Sequence, residues 1–119
     1  MTGVPEPGCL FCAIVAGEVP AQVVHETPQT MAFRDVAPQA PVHLLVIPRD
    51  HHRDMTALVD ADPALAGELM AVSVAVARQE GLEEDGYRLA VNTGRDGGQT
   101  VFHLHVHVLG GRHLGWPPG

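Results

Sequence analysis

Three histidines stand two residues apart in the run Val101-Phe102-His103-Leu104-His105-Val106-His107-Val108-Leu109. Imidazole alternates strictly with apolar side chain, which predicts a strand over residues 101–109, because successive side chains of a strand leave on opposite faces. The histidines then project together, with neighbouring α-carbons roughly 6.5–7 Å apart. Two chemistries use such a face. Two histidines at i and i+2 with a third ligand from elsewhere can hold zinc. Alternatively, the middle imidazole is a nucleophile, and its neighbours and the preceding loop bind an anion. That loop is Thr93-Gly94-Arg95-Asp96-Gly97-Gly98-Gln99. Its glycines let the backbone approach a ligand closely and aim N–H groups at it. Taken by itself, the loop would also serve as a plain connection between two strands.

A second candidate is the pair Cys9 and Cys12. Two cysteines are no disulfide framework for a small domain. The spacing suits a metal half-site or a redox pair, or it has no chemical role. A redox pair belongs at the start of a helix that follows a strand, and residues before Cys9 leave no room for one.

Elements must position these groups. Residues 1–8 read as a loose arm, and residues 9–16 as a short helix that stops at Gly17. Residues 23–26 and 30–35 read as strands around a Thr27-Pro28-Gln29 turn. A proline-stiffened loop leads into residues 42–48, a β-branched apolar run that predicts a buried strand. Asp62 as N-cap and Pro63 at the first helical position open a long helix that ends at Gly81. Ser73 is the only polar residue between Leu69 and Ala77, so this helix is buried on more than one side, with the sheet on one and a second subunit on another. Residues 87–92 and 101–109 complete five strands. The order is helix, three strands, helix, two strands, with short connections that favour antiparallel pairing: an α+β single domain without repeats.

Composition narrows the partners. The chain has 119 residues, enough for one domain, and 45% of them are hydrophobic. Fourteen acids face seven arginines and no lysine, for a formal charge of −7. Such a surface suits neither a nucleic-acid backbone nor an anionic membrane, so any bound phosphate would be held by backbone N–H groups and histidine. No apolar run is long enough to span a membrane, and the first eight residues lack the basic start of a signal peptide. The chain reads as soluble and cytoplasmic.

The heptapeptide His103-Leu104-His105-Val106-His107-Val108-Leu109 resembles the histidine-triad motif at every position. The likeness extends to the blocks around Asp35 to His43, Asp85-Gly86-Tyr87-Arg88, Asp96-Gly97-Gly98-Gln99 and the terminal Trp116-Pro117-Pro118-Gly119. These are similar to the Hint branch of the histidine-triad (HIT) nucleotide-binding proteins. The resemblance implies one HIT domain over residues 1–119, with a five-stranded antiparallel sheet, one long and one short helix, and a homodimer whose sheets join into ten strands. It implies hydrolysis of purine nucleoside 5′-monophosphoramidates. Alternatives are a regulatory nucleotide-binding module with incidental hydrolysis, or a metal-dependent hydrolase or metal carrier that uses the histidine strand.

The resemblance also implies roles. His105 is the nucleophile, and its tautomer is set by the His103 carbonyl. A neutral imidazole is available at physiological pH, because the unperturbed value is about 6.5. His107, with the backbone from Gly98 through Gln99 to Thr100 and Val101, contacts the phosphate. Thr100 stands where the family usually has serine and serves the leaving group. His43 supports the triad, or is simply a satisfied buried histidine. Phe33, Arg34, Asp35 and Val36 hold the base and ribose, with Asp35 accepting from ribose hydroxyls; alternatively, Phe33 and Val36 are core residues and Asp35 a turn cap. Asn92 lies near the phosphate or caps a strand. Trp116, in a tail over residues 112–119, reaches the partner's site. Cys9, Cys12, His51 and His103 form a closed structural zinc set, with His52 as the rival of His51. No metal is required for catalysis.

Overall fold

The computed structural model describes residues 5–119. In chain order the elements are α1 (Leu10–Val15), β1 (Val23–Glu26), β2 (Thr30–Arg34), β3 (Val42–Pro48), α2 (Met55–Ala61), α3 (Pro63–Gln79), β4 (Tyr87–Ala90) and β5 (Val106–Gly110). The five strands form one sheet in the order β1-β2-β3-β5-β4, and every neighbouring pair is antiparallel. The expected α+β fold with five antiparallel strands is present.

β3 organises the interior. Its residues 43–48 are all buried, and its apolar residues alternate between two separate cores. Leu44 and Val46 join Ala32, Val106 and Val108 beneath Leu65, Leu69, Val72 and Val76 of α3. Leu45 and Ile47 turn the other way and join Phe11, Ile14, Met31 and Phe33. A strand covered on both faces must be apolar at nearly every position, which is why residues 42–48 show no polar alternation.

Local chemistry sets the helix ends. Asp62 accepts the Leu65 N–H at 3.2 Å and Pro63 opens α3, as expected for an N-cap and first helical position. Gly81, at φ +76°, takes the left-handed conformation just after the helix. Inside α3, the Ser73 hydroxyl donates to the Leu69 carbonyl at 2.7 Å, so the one polar side chain of the apolar stretch is satisfied within its own helix.

Two departures from expectation bear on the site. A second short helix, α2, precedes α3; its N-cap Asp54 accepts the Ala57 N–H at 2.9 Å, and Leu58 anchors it in the core. More consequentially, β5 begins at Val106, not at residue 101. The ladder with β3 runs from Val42↔Gly110 to Val46↔Val106 and stops. The last β3 residue, Pro48, has no N–H to contribute, and its carbonyl accepts from the His103 side chain instead, at 2.8 Å. β4 is likewise shorter than expected, ending at Ala90.

Of the arm expected over residues 1–8, residues 1–4 lie outside the described part. Pro5 to Gly8 form a turn whose Glu6 carbonyl accepts the Cys9 N–H at 3.1 Å. Among the described residues, no helix is long and apolar enough to cross a membrane.

Leu69 is fully buried between α3 and the sheet. Leu69→Ala is therefore expected to cost about 2–5 kcal/mol of unfolding free energy, read as a lower urea midpoint at an unchanged slope.

Candidate active site and adjoining metal centre

Residues 101–105 are irregular, and this departure separates the histidines. The Leu104 N–H donates to the His52 carbonyl at 2.7 Å, tying the segment to the chain just beyond β3. His103 turns inward, is fully buried, and points its Nδ1 at Cys9 Sγ (3.4 Å) and Cys12 Sγ (3.5 Å). His105 and His107 remain neighbours, with ring centroids 4.9 Å apart. The expectation that three histidines share one strand face is thus corrected: His103 serves a different cluster from the other two.

Backbone groups fix which nitrogen of each ring carries the proton. A carbonyl oxygen can only accept, so His105 Nδ1, 2.8 Å from the His103 carbonyl, must be protonated. That leaves the His105 Nε2 lone pair bare. His103 Nε2 donates to the Pro48 carbonyl at 2.8 Å, which leaves its Nδ1 lone pair facing the cysteines. His43 shows the reverse. Its Nδ1 accepts the Gln39 N–H at 3.0 Å, so its Nε2 carries the proton and donates to His107 Nδ1 at 2.9 Å. His107 must then hold its own proton on Nε2, as a donor. One ring is left as a base and its neighbour as a hydrogen-bond donor: suitable partners for attack on phosphorus and for stabilising the oxygens around it.

Burial disfavours charge on His107, His103 and His43. It holds His107 down at about 4, from an ordinary 6.5, with further lowering from the neighbouring His105 and His43 and an opposing pull from Asp35. His103 is likewise lowered to about 4, chiefly by burial, against the bond to Pro48. His43 is lowered by burial despite Asp35, whose Oδ2 lies 3.4 Å from His43 Nε2.

The remaining site residues fall on both sides of expectation. Asp35 is at the site: Oδ1 accepts the Ala37 N–H at 2.8 Å, while Oδ2 faces His43. The turn-cap reading of this residue therefore holds, and the same carboxylate stands beside His43. Arg34 is not at the site. The alternation of β2 sends it to the α3 side, where it pairs with both carboxylate oxygens of Glu80 at 2.9 and 3.2 Å. Phe33 is buried with its ring edge-on to Phe11 at 5.5 Å, whereas Val36 is 98% exposed. Asn92 is half-buried, two residues past the last β4 pair, Ala90↔His107. Trp116 is 83% exposed, in a tail fastened by Arg88, which donates to the Gly115 carbonyl at 2.8 Å.

The glycine loop is shaped from inside. Gln99, placed by resemblance among the phosphate-contacting residues, is buried with its side chain already engaged. Its amide oxygen accepts the Gly94 N–H at 2.9 Å, and its nitrogen donates to the carbonyls of Arg53 (2.8 Å) and Val101 (3.1 Å). A side chain at Gly97 would meet the Thr93 carbonyl oxygen at 2.5 Å, and Gly98 has φ +82°. Thr100 is exposed at the loop's end, and Val101 is half-buried against the Phe11 core.

Cys9, Cys12, His51 and His103 come together with their ligand atoms all within 4.8 Å. His51 Nδ1 lies 3.4 Å from Cys12 Sγ, and His52 does not belong to the cluster. The donor set fits zinc. A tetrahedral ion with ordinary zinc–sulfur and zinc–nitrogen bonds separates sulfur from nitrogen by about 3.6 Å, close to the 3.4–3.5 Å found here. Backbone N–H groups of Cys12 and Glu6 reach Cys9 Sγ (3.3 Å) and Cys12 Sγ (3.5 Å). Burial pushes the Cys12 thiol up, against the Glu6 N–H, so a cation is what would make the thiolate stable. Asp35, His43 and His107 also lie within ligating distance of one another. An ion there would have to strip the Nε2 proton from His43 while Gln39 occupies Nδ1, so that trio is better described as a proton-ordered chain.

Two contributors escaped the sequence reading. Phe11 places its ring edge-on to His105 at 5.2 Å and to His103 at 5.8 Å. Its signal was its place between Cys9 and Cys12: whatever draws those cysteines to His103 brings Phe11 along. The Gln39 N–H had no signal, because a backbone donor in a loop carries no residue identity.

The molecule thus combines a five-stranded antiparallel sheet, an ordered imidazole chain and, preceding β5 in sequence, a glycine-rich loop. The chain belongs to the HIT family: the HIT-domain sequence model matches residues 16–114. It is 48% identical to a HIT family hydrolase from Legionella pneumophila of known crystal structure, covering 94% of this chain and all of that one, with a TM-score of 0.90. The crystal structure of a histidine triad nucleotide-binding protein from Candida albicans matches at 30% identity and TM-score 0.80, over 92% of this chain and 83% of that one. A 14 kDa zinc-binding protein of Zea mays is 47% identical over 113 residues, 92% of this chain and 87% of the maize protein.

The depressed His107 value predicts a pH effect on stability. The unfolded chain takes up a proton near 6.5, whereas the folded ring stays neutral to about 4. Between those values the unfolded state binds more protons, so stability is full above about 6.5 and is lost as pH falls through 4. Urea midpoints of chelator-treated protein should fall from pH 7.5 to pH 4.5. The fall should be smaller in His107→Asn; equal falls in both proteins would contradict this.

Proposed function

We propose that this protein hydrolyses nucleoside 5′-monophosphoramidates, with purine nucleosides preferred, through a nucleotidyl intermediate on His105. The observation that carries the reading is the 2.8 Å bond from His105 Nδ1 to the His103 carbonyl, which leaves Nε2 as the bare nucleophile. Likeness to a protein described as a HIT family hydrolase, and to one described as nucleotide-binding, supports the coarser statement of a nucleotide hydrolase.

His105 Nε2 attacks the α-phosphorus. The phosphorus–nitrogen bond breaks, and the departing amine takes a proton at its nitrogen, with the role of relay assigned to the Thr100 hydroxyl. Water then attacks the phosphorus of the adduct, releases the nucleoside monophosphate, and returns His105 to its neutral form. His107 Nε2–H and the N–H groups from Gly98 to Val101 meet the phosphate oxygens as their charge develops. A −7 chain without lysine offers such neutral donors in place of a basic patch. Asp35 accepts from the ribose hydroxyls with lone pairs left over from its turn bond, and Phe33 and Val36 border the base. Asn92 lies by the phosphate.

Cys9, Cys12, His51 and His103 would hold a structural zinc ion, a reading supported by the tetrahedral spacing and by the maize relative's description. Bound zinc would supply structural closure and no open position for substrate or water, since four protein ligands fill a tetrahedral ion.

The protein acts as a cytoplasmic homodimer. β4 is an edge strand of half-buried residues, and Ala66, Met70 and Val74 make a half-buried stripe at helical spacing on α3. A two-fold pairing along β4 would give ten strands and bring each tail, with Trp116, toward the other subunit's site.

His105→Ala is expected to lower turnover of adenosine 5′-phosphoramidate by at least about 10⁴-fold while AMP still binds. Intact-mass analysis of rapidly quenched wild-type protein should show one nucleotidyl adduct, mapped to residue 105. Unimpaired turnover in the variant, or an adduct elsewhere, would sink the assignment. Sedimentation should give twice the chain mass, and Val74→Glu should shift it toward one; a wild-type monomer would refute the dimer.

A further inference from the structure

The metal-ligating cluster and the reactive imidazole are joined by two contacts, and both run through residues of the cluster or its helix. The first is covalent in origin. His103 gives its side chain to the cluster and its carbonyl to His105 Nδ1, so one residue belongs to both sites. The second runs through α1. Cys9 is the N-cap of this six-residue helix and Cys12 lies in it, so the cluster fixes where the helix sits. Phe11, between them, stands edge-on to the His105 ring at 5.2 Å with the two planes at 90°. Phe11 is buried, and its other side rests on Phe33.

These contacts act on different freedoms of the same ring. The carbonyl selects the tautomer. A buried aromatic ring packed perpendicular to an imidazole opposes rotation about the bonds that carry that imidazole. α1 has only six residues, too few to be stable by itself, and among the helix–sheet packings α1 lacks the long apolar face that holds α3. Its position depends on the burial of Phe11 and Ile14 and on its N-terminal end, which is the cluster.

We propose that the Cys9–Cys12–His51–His103 cluster positions the nucleophile: with its four donors drawn to one ion, Phe11 and the His103 carbonyl together hold His105 in the single orientation and tautomer that leaves Nε2 free. Phe11 and His103 are then positioning residues for the reaction at His105. The metal centre governs how much of the protein is poised to react, although it touches no substrate. This rests on His105 being the reacting group, as proposed above, but its central readout does not require any turnover.

The experiment uses full-length protein with ¹⁵N-labelled histidine rings. Long-range ¹H–¹⁵N spectra report the protonated nitrogen of each ring. In zinc-loaded protein, His105 is expected as a single Nδ1–H tautomer. After zinc is removed by chelation, with the α3 amide signals unchanged, His105 should become a mixture of the two tautomers. In zinc-loaded Phe11→Leu, which keeps an apolar side chain, the Nδ1–H signal should broaden into the same mixture. Both changes should lower kcat on adenosine 5′-phosphoramidate by about tenfold to a hundredfold, the cost of a small misplacement of a reacting group, with KM within about twofold, as expected when ground-state binding is untouched. A single, sharp Nδ1–H tautomer in both the stripped protein and Phe11→Leu overturns the proposal. If chelation unfolds the protein, Phe11→Leu alone decides it. A tautomer shift in a protein that hydrolyses no phosphoramidate supports the coupling and removes the substrate reading instead.

Discussion

The hydrogen bond between His105 Nδ1 and the carbonyl two residues behind it is the constraint around which the site is arranged. An imidazole offers two nearly equivalent nitrogens, and chemistry at one requires the proton to be kept on the other. A carbonyl settles that choice without ambiguity, since it has no proton to give. It can do so only because residues 101–105 leave the regular ladder. In an undisturbed strand the His103 carbonyl would lie in the sheet plane and pair with a neighbouring backbone. Here β3 ends in a proline, the chain is held by Leu104 against the His52 carbonyl, and the carbonyl of His103 is left for the ring.

The same logic recurs with opposite outcome at His43, where a backbone N–H, not a carbonyl, meets Nδ1. The proton order then passes through His107 to the place where charge would develop. His43, His105 and His107 lie with neighbouring ring centroids 4.9–5.2 Å apart, and burial disfavours charge on two of them, holding His107 at about 4 and lowering His43. Packing and reactivity have the same cause. A site opened to water would let these rings charge, and charged rings this close would repel one another.

Much of this could be read from the chain. The buried β3, the Asp62-Pro63 helix start and the glycine loop each follow from residue types at given spacings, whereas the Cys–His quartet follows from the family resemblance. What could not be read has a common physical origin. α2 is seven residues long and owes its existence to one cap and the burial of Leu58, both tertiary effects. The late start of β5 hides beneath a perfect alternating pattern, because alternation reports which way a side chain would point in a strand and not whether the strand forms. Arg34 was grouped with its neighbours in sequence, whereas the pleat sends it to Glu80 on the far side. Gln99 has an amide suited to a ligand, yet its three bonds to backbone shape the loop.

Because β3 is apolar toward both cores, it works as a partition. On one side α3 covers the sheet with interchangeable aliphatic contacts; on the other, His43, His51, His103, His105 and His107 each have an assigned neighbour. Sequence drift among the aliphatics beneath α3 is therefore insulated from the ordering of protons by a layer of Leu45 and Ile47. Relatives could diverge widely in how they are held together while the arrangement of their reactive rings stays as it is.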